Sequence, residues 1–272
     1  MPLWTLFGLT QGKVSTAWPR SGPDGQQGVL GMPRLEASKC EEGCRRCADA
    51  CLPQAITLTE SASPLRVALD YGRCVACQLC VEVCPTGALT SSADWAFGVR
   101  RREDLLWNEA VESPAGEALR SGIRRVFGRS LHVRHVDAGS CNGCESELQA
   151  LNNPYYNLHR LGVFFTASPR FADLLLVTGP VTYAMRGPLS ETYAAMPEPR
   201  FVMAVGTCAV SGGTNGGGYA CGRGLDGELP VDVYLPGCPP NPAAIIHALL
   251  ILMERAPQRV RGGRIAPGEA HA

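Results

Sequence analysis

The sequence predicts two joined units, an α+β amino-terminal part and an α/β carboxy-terminal part built on an open parallel sheet. Three observations predict this. The 272 residues are about twice the ~150 expected of one domain. Eight of the 13 cysteines crowd between residues 40 and 84, with short alternating runs between and after them. Beyond residue 130, apolar runs of strand length alternate with helix-period segments, the pattern of a parallel sheet covered by helices.

Composition narrows the function. Cysteine is about 5 % of the chain, below the ~8–10 % of a disulfide scaffold, and its odd number excludes complete internal pairing. Hydrophobic residues make up 45 % and charged residues 18 %, against a usual ~25 % charged, which describes a folded chain with faces buried against partners. Lys plus Arg equals Asp plus Glu at 25 each, so no positive field attracts nucleic acid or an anionic membrane. The amino end, MPLWTLFGLTQGK, has no positive charge before its apolar stretch and no small-residue cleavage site, so a cytoplasmic location is expected. The longest apolar segment, AAIIHALLILM at 243–253, is short of the ~20 residues a spanning helix needs. Membrane attachment is therefore expected only through a partner.

In chain order, the cysteines come first. Cys74, Cys77, Cys80 and Cys84 read C-x2-C-x2-C-x3-C followed by Pro85. This spacing lets three thiolates of one loop reach one cubane cluster while the fourth ligates the neighbouring cluster. Cys40, Cys44, Cys47 and Cys51 form a similar group, with one extra residue between Cys40 and Cys44 and with Leu52 inserted before Pro53. Zinc ribbons and metal-free structural thiols are the alternatives, but ribbons favour two C-x2-C pairs set apart by a longer spacer. The runs QAITLTE at 54–60 and LRVALD at 65–70 alternate as short strands, and GALTS after Cys84 repeats the first of them, an internal duplication. Residues 36–92 thereby resemble the eight-iron bacterial-type ferredoxins. That resemblance implies two [4Fe-4S] clusters, one on Cys40, Cys44, Cys47 and Cys84, the other on Cys74, Cys77, Cys80 and Cys51.

In the second half, strands are expected at LHVRHV (131–136), DLLLVTG (173–179), FVMAVG (201–206) and VDVYLPG (231–237). Helices are expected around CESELQALNN, LSETYAAM and NPAAIIHALLILMER, the last with Asn241 as N-cap and Pro242 in its first turn. Ligands of such sheets bind outside the carboxyl ends of the strands. Cys141, Cys144, Cys208 and Cys238 each follow a strand, so one site can collect four thiolates. A structural zinc remains an alternative for this quartet, and a thioredoxin-like pair at Cys141 and Cys144 another.

Four segments then carry a second resemblance: VDAGSCNGCESEL at 136–148, TASPRFADLLLVTGPVTYAMRGPL at 166–189, VGTCAVSGG at 205–213 and VDVYLPGCPPNPAAI at 231–245. They resemble the small subunit of energy-converting, membrane-bound [NiFe] hydrogenases of the formate hydrogenlyase type and its relative, the 20 kDa subunit of complex I. The resemblance implies a third [4Fe-4S] cluster on Cys141, Cys144, Cys208 and Cys238, nearest a partner large subunit. Complex I relatives carry two adjacent cysteines at the first ligand position, whereas this chain has C-x2-C followed by Glu145, the hydrogenase form. The amino half, with GKVSTAWPRSGPDGQQGVLGMPRL before its cysteines and WAFGVRRREDLL after them, resembles the eight-iron ferredoxin subunit of the complex I 23 kDa type.

The expected organisation is thus an extended arm (1–35), an α+β ferredoxin-like domain with two clusters (36–92), a linker (93–130), an α/β flavodoxin-like domain with an open parallel sheet (131–256) and a disordered tail (257–272). Linker residues Pro114, Gly116, Gly122 and Gly128 fit such a role, and the arginines from Arg120 to Arg134 read as a solvated face. Cys221 reads as a small buried thiol. GTNGGG at 213–218 reads either as a close approach to a cluster or as a flexible loop. Glu145 reads equally as a proton-path acid or as a helix-start acid favoured by the macrodipole. His132 and His135 fall on opposite faces of a strand and read as structural. No Ser-His-Asp order, phosphate loop with Lys or dinucleotide fingerprint is present.

The function expected is an iron–sulfur electron-transfer subunit of a membrane-associated, hydrogenase-type oxidoreductase complex. Its partners are a large subunit of the hydrogenase or complex I 49 kDa type and membrane subunits, with no nucleic acid. The alternatives are a quinone-reducing complex I-like module and a zinc-stabilised interaction scaffold. Metal analysis separates the last from the rest: anaerobically prepared protein should contain about 12 irons per chain, four for each cubane. Stoichiometric zinc without iron would exclude the cluster reading.

Overall fold

Short alternating runs beside the cysteine loops build two small antiparallel sheets. The computed structural model describes residues 3–11, 17–19, 25–59, 66–107, 130–256 and Gln258. Strand β1 (Arg34–Leu35) precedes the first cysteine group, and β2 (Ile56–Thr59) and β3 (Arg66–Asp70) lie between the two groups. Strand β4 (Leu89–Thr90) follows the second group, and β5 (Leu106–Trp107) comes after it. β1 pairs with β4, and the other three pair in the order β2-β3-β5, every pair antiparallel. Helices Arg46–Ala50 and Leu79–Glu82 follow equivalent points of the two cysteine loops, as the duplication requires.

The apolar runs of the second half form β6 (Leu131–Asp137), β7 (Val163–Phe165), β8 (Leu174–Thr178), β9 (Phe201–Val205) and β10 (Val233–Leu235). They pair in parallel in the order β10-β9-β8-β6-β7. Numbered within the sheet this is 2-1-3-4-5, the flavodoxin-like order, which reverses between β6 and β8. All five residues of β8 are buried, since helices and the amino-terminal part cover both faces of a central parallel strand. Strand β7 was not expected. It has three residues, and Phe164 and Phe165 remain partly exposed, so it offers neither the length nor the periodicity that marks a strand.

Helix Pro242–Leu252 is buried along its whole length. That fits a segment apolar on every side, which needs cover all round. Asn241 caps it as expected, its side chain accepting from the Ala244 N–H at 2.8 Å. Among the described residues no helix is long and apolar enough to cross a membrane.

Two expectations change. The arm before residue 35 contains a helix, Leu3–Gln11, rather than extended chain throughout. Residues 93–107, expected within the linker, are built into the core: Ala96, Phe97, Val99 and Leu105 are all buried. Val99 and Tyr234 exchange backbone hydrogen bonds of 2.9 and 2.7 Å, so this segment covers the free edge of β10. The Arg100 guanidinium also donates to the Ile251 carbonyl at 2.9 Å, near the end of the buried helix. Residues 108–129, which include the rest of the linker and most of its arginines, lie outside the described residues. So does the expected tail apart from Gln258, which bonds to Asp104 at 2.9 Å.

One buried cluster runs through both halves, joining Leu69, Tyr71, Phe97 and Leu105 with Leu175, Val177 and Val202. Leu105 is fully buried within it. Leu105→Ala should cost about 2–5 kcal/mol. Because the core is shared, urea should unfold both halves of the variant in one transition at a lower midpoint. Two separate transitions would show that the halves are independent.

Candidate metal centres

Each cysteine loop bends its chain through left-handed backbone conformations. In the first loop the extra residue between Cys40 and Cys44 is taken up by Gly43 at φ +77, in open space, with the Cys44 N–H bonded to the Glu41 carbonyl at 3.2 Å. In the second, Ala76 and Gln78 adopt φ 54 and 64, and in the C-x2-C turn after β6, Asn142 adopts φ 69. Such turns aim successive thiols inward instead of letting them alternate.

The thiols so placed fall into groups that act on one another electrostatically. Burial raises Cys40, and repulsion from Cys44 and Cys84 adds to it. Burial pushes Cys47 up to about 11, with Cys40 and Cys44 again adding. The Cys74 thiol is pushed up to about 12 by burial, opposed by the Ala76 N–H and reinforced by Cys80, Cys51 and Cys77. Cys80 rises to about 11 through burial, then Cys51 and Cys77, with Cys47 a weaker neighbour from the first loop. The last cysteine of each loop thus crosses over: Cys84 acts on Cys40, and Cys51 on Cys74 and Cys80. Burial also pushes Cys84 up, but the N–H groups of Leu89, Thr86 and Ala88 and the Thr86 hydroxyl outweigh it and hold this thiol below its ordinary value.

The third group gathers at the carboxyl ends of the parallel strands. Cys141 and Cys144 follow β6, Cys208 lies in helix Thr207–Ser211 after β9, and Cys238 follows β10. Burial raises Cys144 strongly, and Glu145, Cys208, Cys238 and Cys141 all add repulsion. Burial takes Cys208 to about 11, followed by Cys238 and Cys141. Cys141 and Cys238 are exposed, so this group opens onto the surface.

The donor set fits an iron–sulfur cluster. Thiols that burial and mutual repulsion keep protonated lose their protons when a polycation sits among them. Backbone N–H groups already point at sulfur, from Ala55 to Cys51 at 3.2 Å and from Ala76 to Cys74 at 3.4 Å. Glycines leave room beside the third group. A Cβ on Gly206, at φ +89, would stand 2.6 Å from the Cys144 sulfur, and one on Gly213 would stand 2.9 Å from that of Cys208. Among the described residues no three His, Cys, Asp or Glu side chains are close enough to share a single metal ion. A zinc ion would need its thiolates ~2.3 Å from one centre, whereas a cubane spreads its ligands over separate corners.

Around the third group lies a polar network that the sequence did not announce. Glu145 accepts from the Ser140 hydroxyl at 2.6 Å and from the Thr178 hydroxyl. His135 Nε2 is 3.0 Å from that Thr178 oxygen and 3.6 Å from Glu145. Burial lowers the His135 pKa, with Glu145 and Asp137 opposing. Thr178 ends β8, 33 residues from Glu145, so no local spacing could have linked them. His132, on the other face, pairs with Asp173 at 3.4 Å and stacks on Phe164. Cys221 is buried and donates to the Asn215 carbonyl at 3.1 Å, the small buried thiol that was expected.

Residues 141–252 match the family described as NADH ubiquinone oxidoreductase, 20 Kd subunit, and residues 39–88 match the 4Fe-4S dicluster domain. The chain is 41 % identical to the probable membrane-bound hydrogenase subunit mbhJ of Pyrococcus furiosus over 138 residues, which are 51 % of this chain and 83 % of that protein. The chain belongs to the 20 kDa subunit family. It is 38 % identical to formate hydrogenlyase subunit 7 of Escherichia coli, over 56 % of this chain and 59 % of that one. Among solved structures, a chain of the membrane-bound sulfane sulfur reductase, an archaeal respiratory membrane complex, is 34 % identical with a TM-score of 0.44, over 50 % of this chain and 75 % of that one. Membership of the 20 kDa family together with a dicluster domain makes this an iron–sulfur electron-transfer subunit of an oxidoreductase complex, with catalysis on partner subunits.

Gly206 gives a direct test of the third site. Gly206→Ala drives a methyl group onto the Cys144 sulfur and strains a left-handed backbone, so metal loading at this site should fail while the amino-terminal sites load. Iron should fall by about four per chain, the content of one cubane. Unchanged iron would show that the close approach is not needed.

Proposed function

We propose that this chain relays electrons through three [4Fe-4S] clusters within a membrane-associated, hydrogenase-type complex. The first would be held by Cys40, Cys44, Cys47 and Cys84, the second by Cys51, Cys74, Cys77 and Cys80, and the third by Cys141, Cys144, Cys208 and Cys238. The observations that support this reading are the two cysteine loops lying against each other, with Cys84 near Cys40 and Cys51 near Cys74 and Cys80, and the gathering of Cys141, Cys144, Cys208 and Cys238 at the carboxyl ends of the parallel sheet. Such clusters supply reversible one-electron transfer at potentials set by hydrogen bonds to sulfur and by burial.

The protein's own contribution is position and environment. The N–H groups of Ala55 and Ala76 stabilise negative sulfur at the second quartet, where Cys74 and Cys80 are buried. The exposed Cys141 and Cys238 turn the third quartet towards a partner, which we assign as a large subunit of the hydrogenase or 49 kDa type. The C-x2-C-Glu145 motif and the hydrogenase and formate hydrogenlyase relatives support the hydrogenase side. The match to the ubiquinone oxidoreductase 20 kDa family keeps a quinone-reducing complex as the second reading. A partner large subunit with paired nickel-binding cysteines decides for the first. Residues 36–92 form the ferredoxin-like domain in this reading, and membrane subunits of the complex hold the chain at the cytoplasmic face.

Replacing Cys208 by Ser should remove one cluster's spectroscopic signal and leave the other two. Loss of all three signals, or of none, contradicts the assignment of separate sites.

A further inference from the structure

We infer that the Thr207 hydroxyl is the positioning group that fixes the ligand loop of Cys74 against the ligand loops of Cys208 and Cys238. The inference rests on the three-cluster reading and adds how the second and third sites are held together.

Thr207 is 1 % exposed, at the junction of the two halves. Its hydroxyl donates to the Cys74 carbonyl at 2.9 Å, across 133 residues of sequence. The same oxygen accepts from the Gly237 N–H at 3.1 Å. The backbone completes the link, with the Thr207 N–H donating to the Gly237 carbonyl at 2.8 Å. The arms lead to Cys74 itself, to Cys208 immediately after Thr207, and to Cys238 immediately after Gly237. One hydroxyl therefore touches or adjoins three proposed ligands drawn from two quartets.

The chemistry requires a hydroxyl here. The Cys74 carbonyl can only accept and the Gly237 N–H can only donate, and a hydroxyl serves both at once. Valine has the shape of threonine but would leave both buried groups without a partner, which displaces one or both loops. Serine keeps the bonds and loses only a methyl group. Neither Thr207 nor Gly237 is a proposed ligand, so substitution leaves all twelve thiols in place.

The test uses the full chain, prepared anaerobically and loaded with iron, as wild type, Thr207→Val and Thr207→Ser. The readouts are iron content, low-temperature electron paramagnetic resonance of the reduced protein, and hydrogen exchange of the peptide containing the Gly237 amide. In Thr207→Val, spin–spin broadening between the second and third clusters should weaken, and Gly237 exchange should speed up by on the order of tenfold, the factor one net hydrogen bond supplies. Thr207→Ser should match the wild type in both. Selective loss of the third cluster in Thr207→Val, with full loading of Thr207→Ser, also supports the inference. It is overturned if Thr207→Val is indistinguishable from wild type, or if Thr207→Ser is as impaired as Thr207→Val. Wild-type protein that lacks the third cluster would instead overturn the underlying relay reading.

Discussion

Thiolates repel one another, and burial makes the repulsion costly. Cys47, Cys74, Cys80, Cys144 and Cys208 are all pushed well above the ordinary thiol range, by burial first and then by neighbouring cysteines, which at Cys144 come after Glu145. Holding such groups together takes a rigid frame and a compensating positive charge. The frame is visible: left-handed residues at Gly43, Gln78 and Asn142 turn the loops inward, and strands and helices anchor their ends. The compensating charge follows from chemistry, because a bound polycation converts repulsion among thiolates into shared attraction.

The fold was legible where burial leaves a strong pattern. Runs such as DLLLVT and FVMAV are apolar throughout because β8 and β9 lie in the middle of a covered parallel sheet. Helix Pro242–Leu252 was legible for a similar reason, with its cap written in Asn241. Strand β7 was not legible, since an edge strand of three residues carries no period. The role of residues 93–107 was hidden as well. Their burial depends on meeting the edge of β10 more than 130 residues later, a contact that has no local signature.

The candidate centres divide along the same line. Cysteine spacing is short-range information, so the crossing of the last cysteine of each of the first two loops was an expectation that needed no geometry. That Cys141, Cys144, Cys208 and Cys238 lie at one end of the sheet could be expected because strand ends converge in a parallel sheet. What surrounds the sulfurs was not readable. Gly206 looks like any glycine after a strand until its distance to Cys144 is known. Thr178, Ser140 and His135 reach Glu145 only through the pairing of β6 with β8 and the turn that follows. Glu145 lies in the first turn of helix Gly143–Ala150, and the Thr178 hydroxyl links it to His135 on β6.

Fusion of the two halves is more than a tether. A flexible connection raises the effective concentration of one part near the other but leaves their orientation free. Here the orientation is fixed by contacts that belong to a folded interior: a shared apolar cluster, a backbone bridge between Val99 and Tyr234, and a buried side-chain bond from Thr207 to Cys74. Tyr234 lies on β10, the strand that leads to Cys238, so the segment that docks the amino-terminal part also supports one arm of the third quartet. Movement between the halves would disturb a cysteine loop at the same time. The placement of the Cys74 loop against the loops of Cys208 and Cys238 is consequently a property of the fold itself, maintained by the apolar interior.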